Sequence, residues 1–388
     1  MQVSSKLPHV GTTIFSVMSA LAQEHGAINL SQGFPNFPSS EKLTDLVCHY
    51  LKAGYNQYAP MPGLPGLREQ IARKAQVMYG LEVDPAEEVT VTAGATQAIY
   101  CAIAAFVHPG DEVIILEPAY DCYRPAVEVN GGKPVVYEMQ PPDYKVEWNA
   151  VQSLVTPATR MIIINTPHNP TGSILQASDM LALQQLTAGT DILVLSDEVY
   201  EHLIYDGQEH QSVLRFPGLR ERSLATYSFG KTFHNTGWKI GYCIAPPELM
   251  KEFRKVHQYN TFAVHRPTQH ALADYLEDAS TYQSLPAFYQ EKRDLLLSEL
   301  KDSRLRPLPC SGTYFCNFDY SAISDKPDAE FTRWLIEEHG VAAIPVSAFY
   351  ESGKDERVIR LCFAKTEETL REAGKALRGV VSHSGSDS

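Results

Sequence analysis

A few short stretches carry residues whose chemistry their surroundings do not explain. The apolar run MIIIN ends in TPHNPTG, which puts Asn169 on a turn just past a buried strand, with Pro170 and Gly172 enforcing the turn. A second run, DILVLSD, ends at Asp197 and continues as EVY, bringing Tyr200 to the same end. A third, SLATYS, ends at Ser228, three residues before Lys231 in SFGKTFHNTGWKIGY, where Lys239 follows. Singly, each has a plainer explanation: asparagine before proline forms turns, aspartate after a strand caps a helix, and a loop lysine is solvated. Delivered by successive strands to one rim, they point to a shared site that offers an amide, a carboxylate, a phenol, a hydroxyl and an amine.

Two more features suit an anionic small molecule. VTAGATQAIY runs from a strand through Gly94, Ala95 and Thr96 into a helix, so backbone N–H groups open at a helix N-terminus, where the dipole favours an anion. RVIRLCFA sets Arg360 inside an apolar strand, where a guanidinium needs a carboxylate or phosphate partner, or a structural ion pair. Other chemistries lack their patterns. There is no GxGxxG, Walker lysine or GxSxG elbow. Glu198 and His202 in DEVYEH have helical spacing but no third ligand, so no metal is expected.

The elements that must position these residues alternate. Between Glu88 and Ile244, β-branched runs (VTVT, EVIIL, PVVYE, MIIIN, DILVLSD, SLATYS, KIGYCI) alternate with helical stretches such as ATQAIYCAIAAFV. Near-continuous apolar strands predict a mostly parallel, seven-stranded sheet between helices, an α/β architecture. From about Leu285 the texture changes to a charged helix, short strands near Gly312–Asp319 and Val358–Ala364, and a helix around Phe331–His339. The expected division is a large domain over 45–285 and a smaller α+β domain made of 1–44 and 286–388. The cleft should open between them at the carboxyl ends of the parallel strands. The terminal SHSGSDS is expected to fray.

At 388 residues and 44% hydrophobic, the chain can bury a two-domain core. A net charge of −13 argues against nucleic acid as a partner. The seven cysteines are scattered without CxxC spacing, which disfavours disulfides and zinc. With no signal pattern and no apolar run of membrane-spanning length, the protein is expected to be soluble and cytoplasmic, away from membranes.

From about Ser31 to Lys365 the motifs SQGFPNF, QYAPMPGLPGLREQI, VTAGATQA, EPAYDCY, NTPHNPTG, SDEVYEH, SFGKTFHNTGWKIGY and RVIRLCFA stand in the order found in class I aminotransferases. The chain resembles that family, which has the fold type I architecture and uses pyridoxal 5′-phosphate. EPAYDCY, KVHQYNTF, the PTQ at Pro267–Gln269 and GVAAIP resemble the branch holding bacterial methionine aminotransferase and the kynurenine–glutamine transaminases.

The resemblance implies that Lys231 forms the internal aldimine and shuttles the substrate Cα proton. It implies that Asp197 pairs with the pyridine nitrogen, that Tyr200 and Asn169 bond the phenolic oxygen, and that Tyr120 stacks on the ring. The phosphate would be held by the Gly94–Ala95–Thr96 turn, Ser228 and Lys239, with Tyr58 reaching in from the partner of a homodimer. Arg360, helped by Asn169 and the Gly33 backbone, would bind the substrate α-carboxylate. Lys239 departs from the family, where arginine is usual, and substitutes a point charge for a planar fork. The implied reaction moves the amino group of a bulky apolar or aromatic L-amino acid, methionine favoured, to a 2-oxo acid. Ile14, Phe15 and Phe34 are expected to close an apolar cover over the donor. The alternative is a kynurenine–glutamine transaminase or cysteine-conjugate β-lyase. A non-enzymatic PLP-binding regulator is disfavoured, since the motifs begin near Ser31.

Overall fold

The computed structural model describes residues 3–380. SHSGSDS lies outside the described residues. In chain order the strands are β1 (Ile28–Asn29), β2 (Val89–Thr92), β3 (Glu112–Glu117), β4 (Lys133–Glu138), β5 (Thr159–Asn165), β6 (Leu193–Asp197), β7 (Ser223–Ser228) and β8 (Gly241–Ile244), then β9 (Arg306–Pro307), β10 (Phe315–Asp319), β11 (Val341–Ala342), β12 (Ile344–Pro345) and β13 (Val358–Cys362). β2 to β8 form one seven-stranded sheet in the order β2-β8-β7-β6-β5-β3-β4. Only β8 runs antiparallel to its neighbours. The expected fold is the one observed.

The sheet is apolar because both its faces are covered. All four residues of β2 (VTVT) and all five of β6 (LVLSD) are buried, as on a doubly covered sheet they should be. On one face lies the helix Ala95–Phe106, whose small residues Ala95, Ala98 and Ala102 let it approach closely. Register aligns the strand ends: Asn165 of β5 pairs with Asp197 of β6, which pairs with Thr226 of β7. That alignment brings the turns after three neighbouring strands to one edge.

The later residues form an antiparallel sheet, β12-β13-β10-β9, packed with helices Leu285–Leu300, Asp328–His339 and Glu367–Arg378. The N-terminal segment joins it through β1, which pairs in parallel with β11, and through the Leu30 carbonyl, which accepts from Cys362 N at 2.8 Å. Four strands, β6, β8, β10 and β13, are shorter than the sequence suggests, and for two of them the backbone shows why. β8 begins at Gly241 because Lys239 takes a left-handed φ of 54°. β10 begins at Phe315 because Thr313, at φ 65°, turns the chain. Among the described residues no helix is long and apolar enough to cross a membrane.

Below the site, the DEVYEH turn rests on buried charge. Lys74, on helix Pro65–Tyr79, donates to Glu201 Oε1 at 2.5 Å and to the Tyr242 hydroxyl at 2.9 Å. Tyr79 donates to the other Glu201 oxygen. Removing one partner of such a pair strands the other charge. Lys74→Met is therefore expected to lower unfolding free energy by about 3–5 kcal/mol. Lys74→Met with Glu201→Leu should recover much of that loss, and urea denaturation of both variants checks it.

Candidate active site

One cleft gathers most of the residues singled out in the sequence, with Arg360, Gly33 and Tyr58 outside its lining. Gly94, Ala95, Thr96, Tyr120, Asn169, Asp197, Tyr200, Ser228, Lys231 and Lys239 all line it, together with Asn165, Gly230 and Thr236. The turns after β2, β5, β6 and β7 supply most of this wall, as expected at the carboxyl edge of a parallel sheet.

At one end is an anion-binding corner. Gly94 caps helix Ala95–Phe106 with φ 81°, and the Lys239 ammonium lies over it: a Cβ at Gly94 would stand 3.4 Å from Lys239 Nζ. Among the described residues the exposed Lys239 ammonium has no ion-pair or hydrogen-bond partner. Ser228 is half-buried beside this corner, its Oγ accepting from Lys231 N at 3.3 Å.

In the middle are an amine and a carboxylate. Lys231 Nζ donates to the Tyr314 hydroxyl at 3.0 Å and to the Gly33 carbonyl at 3.2 Å, and Tyr314 donates to that same carbonyl. Desolvation, reinforced by the charges of Arg360 and Lys239, lowers the Lys231 ammonium to about 8. Asp197 is buried and has no cation within ion-pair distance among the described residues. Its Oδ2 accepts from Tyr123 at 2.6 Å and its Oδ1 from Val199 N at 3.4 Å. Desolvation raises its carboxyl to about 6, and those two hydrogen bonds oppose the rise. Burial pushes the Tyr200 phenol well above its ordinary range.

At the far side is Arg360, on β13 and 1% exposed. One of its nitrogens donates to Asn169 Oδ1 at 2.5 Å and another to the Ser31 carbonyl at 3.3 Å, while Nε has no partner among the described residues. The guanidinium lies 3.8 Å from the Phe315 ring centre, 5.2 Å from Phe349 and 5.3 Å from Phe15. Desolvation lowers even this group to about 10.

Gly33 meets the site through its carbonyl, which faces Lys231, and passes close to Phe315: a Cβ there would stand 2.9 Å from the ring. Tyr58 stands apart from the cleft, 80% exposed, its ring edge-on to Phe262 at 5.4 Å. Of the expected cover, Phe15 packs edge-on to Phe349, and Phe34 is 45% exposed above the Lys365 ammonium. Sequence reasoning missed Tyr123, Asn165 and Tyr314. Tyr123 is the second tyrosine of EPAYDCY, and Asn165 is the last residue of MIIIN, so both lay inside recognised motifs. Tyr314 carried no such signal.

The family description "Aminotransferase class I and II" matches residues 25–377. The chain belongs to this family. It is 53% identical over 375 residues to methionine aminotransferase of Escherichia coli (strain K12), covering 96% of this chain and 97% of that one. The solved structure of YbdL from Escherichia coli, identified with a methionine aminotransferase function, superposes with a TM-score of 0.96 at 52% identity, covering 97% of this chain and 99% of that one. Kynurenine–oxoglutarate transaminase 1 of Homo sapiens is 33% identical over 393 residues, covering 92% of this chain and 93% of that one. The family and branch expected from the motifs are those found. The protein is an aminotransferase, of a family that depends on pyridoxal phosphate and acts on amino acids and 2-oxo acids.

The depressed Lys231 ammonium has a measurable sign. Only the neutral amine is nucleophilic, so competitive amine labelling of the full chain before cofactor is added should modify Lys231 about tenfold faster per pH unit up to about pH 8, then level off. Surface lysines should keep rising above pH 9, and peptide mass spectrometry separates the two.

Proposed function

We propose that this aminotransferase takes its amino group by preference from L-methionine or another bulky apolar or aromatic amino acid, with pyridoxal phosphate as cofactor and a 2-oxo acid as acceptor. The observation that carries the donor preference is the aromatic enclosure of Arg360. A guanidinium able to grip an α-carboxylate bidentately is walled by the buried Phe315 and Phe349 and by the half-buried Phe15, and of these Phe15 keeps apolar surface for the remainder of the substrate to meet. A thioether suits such faces through sulfur–aromatic contact. The cleft lining carries Lys231 and Lys239 as cations. The 53% identity to a methionine aminotransferase supports the same reading.

The residues present fit the cofactor. The Lys239 ammonium and the helix N-terminus at Gly94–Thr96, with Ser228, would hold a phosphate. The buried, cation-free Asp197 would face a protonated ring nitrogen, Asn169 and Tyr200 the phenolic oxygen, and Tyr120 the ring face. Bound there, pyridoxal phosphate supplies the electron sink for breaking the substrate Cα–H bond. The chain's own contribution is to keep that geometry and to move the proton. Lys231, neutral in a substantial fraction near pH 7 to 8, takes the proton from Cα and later returns it. Arg360 and Asn169 hold the carboxylate so that the Cα–H bond faces Lys231.

We also read residues 45–285 as the cofactor domain and 1–44 with 286–388 as the smaller one, which the β1–β11 pairing supports. The exposed Tyr58, with Tyr259 at 87% exposure close by in the chain to Phe262, supports a homodimer in which Tyr58 reaches the partner's phosphate.

Lys231→Ala is expected to abolish transamination and the absorbance of the lysine-linked cofactor, leaving no cofactor fixed to the chain after borohydride reduction, with the fold retained; full turnover in that variant would overturn the reading. Arg360→Ala should raise KM for donor and acceptor alike, costing about 2–5 kcal/mol in kcat/KM. A panel of amino donors against one 2-oxo acid tests the preference: methionine is expected to give the highest kcat/KM. Aspartate as best donor contradicts the proposal, and kynurenine as best donor transfers the chain to the alternative activity.

A further inference from the structure

The roles assigned so far leave one buried phenol unused. Tyr123 opens helix Tyr123–Val129, is 2% exposed, and does not line the cleft among the described residues. Its hydroxyl donates to Asp197 Oδ2 at 2.6 Å. The other hydrogen bond to that carboxylate among the described residues is longer, Val199 N to Oδ1 at 3.4 Å. The backbone of Asp197 is fixed separately: its carbonyl accepts from Asn165 Nδ2 at 2.8 Å and from Thr166 N at 3.1 Å. Neighbouring strands thus set where Asp197 sits, and Tyr123 supplies the shortest contact that sets how its carboxylate is turned.

The bond is of the strong kind. Burial pushes the Tyr123 phenol well above its ordinary range, so it remains a donor throughout the working pH range. A short O–H···O⁻ bond away from water is about twice as strong as a neutral one, and a hydrogen bond to the charged form favours that form. The titratable groups that face Asp197 are Tyr120, Cys122 and Tyr123 from one segment, Glu198 and Tyr200 from its own turn, and Lys231. Of these only the Tyr123 phenol and the Lys231 ammonium favour the carboxylate, and Tyr123 alone touches it.

We propose that Tyr123 is a positioning residue of the transamination site, whose phenol fixes the Asp197 carboxylate in the orientation and charge with which it meets the ring nitrogen of the bound cofactor. The proposal rests on the pyridoxal phosphate reading given above. Without the phenol, desolvation of Asp197 is opposed by one long backbone bond and by Lys231, so the carboxyl takes up a proton at higher pH. A neutral carboxyl then holds the ring proton less well, and Cα–H cleavage slows while binding through Arg360 and Lys239 is untouched.

The test uses Tyr123→Phe in the wild-type chain and in an Asp197→Asn background. Infrared titration of the full chain before cofactor is added follows the Asp197 carboxyl, assigned by subtracting Asp197→Asn. The wild-type midpoint is expected near pH 6, and that of Tyr123→Phe about one unit or more higher. In the loaded enzyme kcat should fall about tenfold with KM within twofold, whereas in the Asp197→Asn background Tyr123→Phe should change kcat by less than twofold. An unmoved midpoint, or an equal loss of kcat in both backgrounds, overturns the proposal. If Tyr123→Phe does not fold, Tyr123→3-fluorotyrosine keeps the shape with a more acidic phenol. It should move the midpoint downward, and no movement overturns the proposal equally. A wild-type chain that takes up no pyridoxal phosphate overturns the cofactor reading and this inference with it. A wild type that is loaded and active beside an unchanged Tyr123→Phe overturns this inference alone.

Discussion

Charge held inside a protein without a paired counter-charge costs several kcal/mol per ion even after relaxation, and Arg360, on which the Asp121 carboxylate acts only from beyond ion-pair distance, is close to that position. No carboxylate lies within ion-pair distance of it among the described residues. What keeps it folded inward is partial compensation: one amide oxygen, one backbone carbonyl and the faces of three phenylalanine rings. Each comes from a different part of the chain. Asn169 follows β5, Ser31 follows β1, Phe315 begins β10, and Phe15 belongs to the first helix. The sheet order, the β1–β11 pairing and the return of β13 beside β10 all have to be right for this one guanidinium to be tolerable.

The same logic runs through the cleft. Asp197 is a buried anion without a cation among the described residues, whereas Lys239, which pairs with no anion there, is exposed to water. An amino acid joined to a phosphorylated pyridine brings a carboxylate, a ring proton and a phosphate, one complement for each. The desolvation cost of the two buried groups, Arg360 and Asp197, is the part that a ligand neutralising them would recover, while the exposed Lys239 adds attraction without strain. The buried Lys74–Glu201 pair beneath the turn is of the opposite kind: it is internally satisfied and serves the scaffold.

How much of this could be read from the chain depends on distance along it. The strand ends were legible because a parallel sheet covered on both faces writes itself as apolar runs, and whatever follows a run lies on the rim; Asn169, Asp197, Ser228 and Lys231 were placed that way. Arg360 was legible as an anomaly in an apolar strand, but its partners were not, since Ser31 lies 329 residues away and Phe315 looks like any core residue. Tyr123 and Lys74 were hidden for complementary reasons. A tyrosine in an apolar helix resembles packing, and a lysine in a charged helix resembles a solvated face, so only the fold reveals the carboxylates they meet. The arginine-to-lysine change at Lys239 was visible at once, and its geometric setting, a left-handed residue over Gly94, was not.

The carbonyl of Gly33 ties two events together. It accepts from Lys231 and from Tyr314, yet it belongs to the stretch that begins with β1 and whose preceding helix carries Phe15. Any swing of this stretch that parts the aromatic faces around Arg360 also pulls a hydrogen-bond acceptor from the amine. Admission of a side chain and the nucleophile's own solvation are therefore mechanically coupled through a few residues of backbone.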